Sequence, residues 1–158
     1  MATQADFSPE DWSKVFSAPF VAGMYISFAD VSNPVGLMQE TAAVVSAVTD
    51  AARASTNSII QAMAAALQAK EKPVMPERQS DMAATQASML ATIEGAIAAV
   101  EAKDAEAVAG YKQLIMDAAT KAAGAAKEGG FMGIGGTSVS DAEKAALAQI
   151  ATTLGIAA

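Results

Sequence analysis

The chain contains no cysteine and no histidine. The first absence removes disulfide frameworks and thiolate sites and leaves the redox compartment open. Together the two absences exclude Ser-His-Asp and Cys-His nucleophilic arrangements, as well as zinc held through its usual nitrogen and sulfur ligands. No Glu-x-x-His pair exists for a di-iron bundle. An enzyme made from this chain would have to work with carboxylates, Lys, Ser or Tyr alone. Carboxylate pairs such as Glu10/Asp11 and Glu101/Asp104 fall at helix ends, where the helix dipole and solubility account for them. The sequence therefore points to a non-catalytic protein with no cofactor.

Aromatic residues are also scarce, at 5% against 53% apolar residues in all. Alanine alone supplies roughly a quarter of the 158 residues, far above ordinary usage. Alanine loses no side-chain entropy on entering a helix and lets helix axes approach, whereas sheets need the branched and aromatic residues missing here. The expectation is an all-α single domain over residues 1–158. Positive charge is short too: 10 basic residues against 17 acidic ones give a net charge of −7. The basic residues are scattered singly, which disfavours nucleic acid and charge-driven attachment to anionic lipid. The N-terminal "MATQADFSPEDWSK" lacks the basic region and apolar run of a secretory signal. The richest apolar stretch, Ala18 to Ala29, is shorter than the ~20 residues of a membrane span. A soluble cytoplasmic protein with no transmembrane segment is expected.

What is present reads as a series of helices. "FSPEDW" is a helix start, with Ser8 as cap, Pro9 in the first turn and Glu10 and Asp11 at the positive end of the dipole. Trp12, Phe16, Phe20, Met24 and Phe28 follow at steps of four, with Val15, Val21, Tyr25 and Ile26 on other faces. Such all-round apolarity marks a central helix, which Pro19 should kink or divide. "ADVSNPVG" is a turn with Asn33 capping the next helix, where Val35, Met38, Ala42, Val45, Val48 and Ala52 form one stripe. "ASTNS" interrupts the pattern, and Ile59, Ile60, Met63, Ala66 and Leu67 resume it. From Val31 to Ala69 the only charges are Glu40, Asp50 and Arg53, where average usage would give about ten. "KEKPVMPER" is a polar crossover, residues 71–77, whose prolines prevent continuous helix. A long helix from about Glu77 to Ala102 and a further one capped by Asp104 and ended by Gly129 and Gly130 follow. The sum is an antiparallel bundle of five to six helices around a Pro-kinked N-terminal helix. Most methionines, Met38 among them, fall on apolar stripes and suit a plastic core, whereas Met75 and Met132 lie in loops as candidates for exposed contacts.

The glycine-rich "GGFMGIGGTS" has no lysine in the position a P-loop requires, and no strand precedes it as a dinucleotide fingerprint demands. Asp141 and Glu143 would meet a bound anion with negative charge. Phosphate binding is rejected. Phe131, Met132 and Ile134 either fold back to plug the end of the bundle or project towards a partner or an apolar ligand. "SDAE", Ser140 to Glu143, is a capping box, and Ala146, Leu147, Ile150 and Leu154 form the buried face of the last helix.

Two stretches carry a family resemblance. Within residues 137–155, "VSDAEKAALAQIATTLG" resembles the second half-motif of the TerB-like, tellurite-resistance-type proteins. "ISFADVSNPVGLMQE", residues 26–40, resembles their first half-motif, roughly A-x-A-D-G-x-v-x-x-x-E, with Val31 in place of its glycine. The chain is otherwise reminiscent of alanine-rich bacterial proteins. The resemblance implies a compact helical fold, no enzymatic activity and a role in stress response or membrane-associated assembly. It would make Asp30, Glu40, Asp141 and Glu143 the candidate metal carboxylates. A hard cation such as Ca²⁺ takes six to eight oxygens, so waters and carbonyls would have to complete the shell.

Three functions remain open. The first is self-association or docking to a protein partner, because the charge-poor span from Val31 to Ala69 is too apolar to be wholly solvated; Val35, Met38 and Ile59 are its candidate contacts, with Phe131, Met132 and Ile134 beside them. The second is a module that binds a small apolar ligand or coats a hydrophobic surface, as the alanine-rich phasins do on storage granules. The third is a TerB-like, cation-responsive stress protein.

Overall fold

A computed structural model describes residues 1–29, 36–128 and 139–157. Among these residues there are six α-helices and no strand: α1 (Pro9–Ala29), α2 (Gly36–Ala54), α3 (Ser58–Gln68), α4 (Met82–Lys103), α5 (Val108–Glu128) and α6 (Asp141–Leu154). The expected all-α bundle is what forms. A single hydrophobic cluster draws residues from every helix. At its centre lies α1, packed against α2, α4, α5 and α6. Ser8 starts α1 by accepting the Asp11 N–H at 3.1 Å, and the apolar residues read on several faces are buried, including Trp12, Val15, Phe16, Phe20 and Val21.

Pro19 does not divide α1, which runs unbroken through it. Proline lacks the N–H that would bond the carbonyl four residues earlier, here Val15. The Tyr111 hydroxyl from α5 donates to that carbonyl at 2.7 Å. A neighbouring helix thus supplies the donor that the proline withholds, and the central helix stays whole.

The buried face of α2 differs from the stripe read in the sequence. Glu40, Val44, Ala47 and Val48 face inward, whereas Ala42 is exposed, Val45 is 37% exposed and Met38 86% exposed. Met38 is thus a surface residue and no part of the core. Apolar residues on adjacent positions left the phase of this helix open, and a close approach sets it: a Cβ at Gly23 of α1 would lie 2.8 Å from Val44 Cγ2. Only glycine at 23 lets Val44 seat there. Asn57 starts α3, accepting from the Ile59 and Ile60 N–H groups, and Ile59 is fully buried. That burial removes Ile59 from any docking surface.

Helix α4 begins at Met82, later than the expected Glu77, with Asp81 as its cap, accepting the Ala84 N–H at 2.7 Å. Among the described residues α4 is also the one helix long and apolar enough to cross a membrane. It packs on α1, burying Met89, Ile93, Ala96 and Val100. Asp104 caps the short turn Ala105–Ala107 that leads into α5. The Ser140/Glu143 capping box opens α6, and Gly155, at φ 66°, closes it in the left-handed conformation that favours glycine. Gly129 and Gly130, read as the end of α5, lie outside the described residues.

Candidate ligand-binding site

From Phe7, just before α1, the rings of Trp12, Phe16 and Phe20 follow in contact with centroids 5.9, 6.2 and 5.9 Å apart, Trp12 and Phe16 stacked and the other two pairs tilted. This ladder ends at a pocket. One wall is the α1 surface of Phe20, Gly23, Met24 and Ser27, a second is Glu40, Thr41 and Val44 of α2, and a third is Pro73 and Met75. Its volume is about 230 Å³. An apolar cavity of about 150 Å³ holds benzene, and sites for drug-sized ligands start near 300 Å³. The space suits one small ring or a short alkyl chain with a polar end.

The third wall comes from the proline-containing crossover, which is held against the bundle at two points. Trp12 Nε1–H donates to Glu71 Oε1 at 2.8 Å, and the Val74 N–H donates to the buried Ser17 hydroxyl at 2.8 Å. Pro73, between these ties, and Met75, just past the second, are half-buried and line the pocket. Met75, read in the sequence as a loop residue for exposed contacts, packs against the core instead. The prolines stop a helix there and leave an extended strap that can reach over α1.

Among the described residues Glu40 brings the only carboxyl to the pocket walls, and it is 6% exposed. Its Oε2 is hydrogen-bonded to the Ser27 hydroxyl, which also contacts the Gly23 carbonyl at 3.2 Å. A hydroxyl carries one hydrogen, so it cannot donate to both oxygens at once. The geometry is met either by the Ser27 hydroxyl donating to the Glu40 carboxylate beside the Gly23 carbonyl, or by a protonated Glu40 donating to Ser27 while Ser27 donates to Gly23. Desolvation raises the Glu40 carboxyl above its ordinary 4.5, and the negative charge of Glu143 adds to the rise. Glu143, 4% exposed, accepts the Ser140 N–H at 2.8 Å.

Of the four carboxylates in the TerB-like half-motifs, Glu40 and Glu143 are thus buried within electrostatic reach of one another, although they come from opposite ends of the chain. Asp141 is exposed beside Lys144, and Asp30 lies outside the described residues. No group of three or more Asp or Glu side chains able to hold a metal occurs among the described residues. Two carboxylates fall short of the oxygens a hard cation needs. Of the interaction candidates, Met38 is exposed and Ile59 is core, while Val35, Phe131, Met132 and Ile134 lie outside the described residues.

Sequence reasoning missed Ser27, Pro73 and Met75 as site residues, and it took Glu40 for a metal candidate. The available signal was Glu40 itself, a lone charge in a stretch otherwise empty of charge until Asp50. Fold and site together define a six-helix bundle with an acid-walled apolar pocket. Comparisons with protein-family models, curated proteins and solved structures find no match.

Proposed function

We propose that this chain is a non-catalytic binding protein whose bundle holds one small molecule with an apolar body. The observation that supports it is the pocket of about 230 Å³ walled by Phe20, Met24, Val44, Pro73 and Met75, with a buried carboxyl and a hydroxyl on one side. Convergent polar groups in an apolar cleft are the usual form of a ligand site. Ligand that binds only the folded state raises stability by mass action. Millimolar benzyl alcohol should therefore raise the melting temperature saturably, and Thr41→Phe, which fills the mouth from an exposed helical position, should abolish that rise. No saturable rise, or an equal rise in Thr41→Phe, would overturn the reading.

A second reading, self-association, draws on the outer face of α2. Met38 is 86% exposed and Val45 37% exposed, with Ala42 between them, on a surface free of charge from Met38 to Thr49 apart from the buried Glu40. A sedimentation mass above 15.9 kDa that returns to the monomer in Met38→Glu supports it, and a monomer at every concentration refutes it.

A further inference from the structure

We propose that the pocket selects a small organic ammonium ion, with Glu40 as its counter-ion and the apolar walls around its hydrocarbon body. This inference rests on the reading of the pocket as a ligand site and names the ligand's chemical class. The polar wall offers acceptors: the two carboxyl oxygens of Glu40 and the Ser27 oxygen. An ammonium presents three donors, enough to engage that set together, whereas a hydroxyl presents one. Neither lysine nor arginine lines the pocket among the described residues, so a carboxylate or phosphate ligand would find no cation there and would face Glu40. The charge of Glu143 nearby acts in the same direction, attracting a cation and repelling an anion.

In the empty pocket Glu40 is hydrogen-bonded to Ser27, which also contacts the Gly23 carbonyl. Burial favours the neutral carboxyl of Glu40, and an ammonium set against it favours the carboxylate, so the two charges enter the apolar wall as a pair. The buried acid is never left charged and unpaired, which would be costly in so apolar a wall. A divalent metal gains less, since it would keep most of its water in a cavity whose side chains, apart from Glu40, Ser27 and Thr41, are apolar.

The experiment is calorimetric titration of the full chain with three ligands of one shape: benzylammonium, benzyl alcohol and benzoate. The expected order in the native protein is benzylammonium about tenfold or more tighter than benzyl alcohol, with benzoate weakest. Glu40→Gln should abolish the preference for the ammonium, so that benzylammonium binds no tighter than benzyl alcohol in that variant. The ranking in the native protein needs no variant, so it decides the matter even if Glu40→Gln fails to fold. Benzyl alcohol binding as tightly as benzylammonium would overturn the ammonium assignment and leave the ligand site standing. Binding of none of the three would remove both. Unchanged benzylammonium affinity in Glu40→Gln, or its displacement by millimolar Ca²⁺, would overturn the role given to Glu40.

Discussion

Replacing Tyr111 with phenylalanine deletes one oxygen from a fully buried ring and leaves the packing of that ring intact. What is lost is the hydrogen bond to the Val15 carbonyl, 2.7 Å away. In an ordinary helix that carbonyl would fall back on the N–H four residues on. Here residue 19 is proline, and Val15 is fully buried, so neither backbone nor water replaces the hydroxyl. The cost therefore belongs to the range for a buried acceptor left unsatisfied, about 1–3 kcal/mol. In a chain of this size a loss of about 2 kcal/mol lowers the melting temperature by about 4–8 °C. Pro19→Ala restores an N–H at position 19, and in that background Tyr111→Phe should cost only about 1 kcal/mol or less. Urea unfolding of the native chain, both single variants and the double variant measures the coupling as midpoint shifts at constant slope. Equal cost of Tyr111→Phe in the two backgrounds would refute the claim that this hydroxyl compensates the proline. Burial also raises the Tyr111 hydroxyl well above 10, so it remains a donor throughout the neutral range.

Ile59→Ala should lower stability by about 2–5 kcal/mol, as for other large-to-small changes in cores, and leave the sedimentation mass unchanged. Glu40→Gln should gain stability relative to the native chain as pH rises above the ordinary carboxyl value of 4.5. The Glu40 carboxyl is raised in the folded state, so the unfolded chain ionises first as pH passes the ordinary 4.5, and its stabilising contribution fades as pH climbs through the folded value. Urea midpoints at several pH values test this, and a difference between the two proteins that is flat with pH contradicts it.

Much of the fold is legible in the sequence because its signals are local. Ser8 and Ser140 cap helices where their hydrogen bonds require no distant partner. The all-round apolarity of α1 places it in the centre without knowledge of its neighbours. The phase of α2 was not legible, since Val44 and Val45 are equally apolar and only the gap above Gly23, on another helix, chooses between them. Pro19 is similar: its local effect is to break the helix, and the remedy sits 92 residues later at Tyr111. The pocket was least legible of all. Its strap reads as a polar linker, and the ties that pull it down, Trp12 to Glu71 and Ser17 to Val74, join residues 59 and 57 positions apart. Glu40 stood out as a lone charge, but its role depends on Ser27 and on Glu143 arriving from α6.

The central claim is that the space between α1, α2 and the strap is a ligand site, and methionine-methyl NMR locates binding within the fold directly. Met24 and Met75 line the pocket, while Met63 and Met89 are buried elsewhere in the core. Titration with benzylammonium should move the Met24 and Met75 methyl signals along one saturable curve and leave Met63 and Met89 in place. Shifts spread evenly over all four methyls, or none at Met24 and Met75 up to millimolar ligand, would contradict the account.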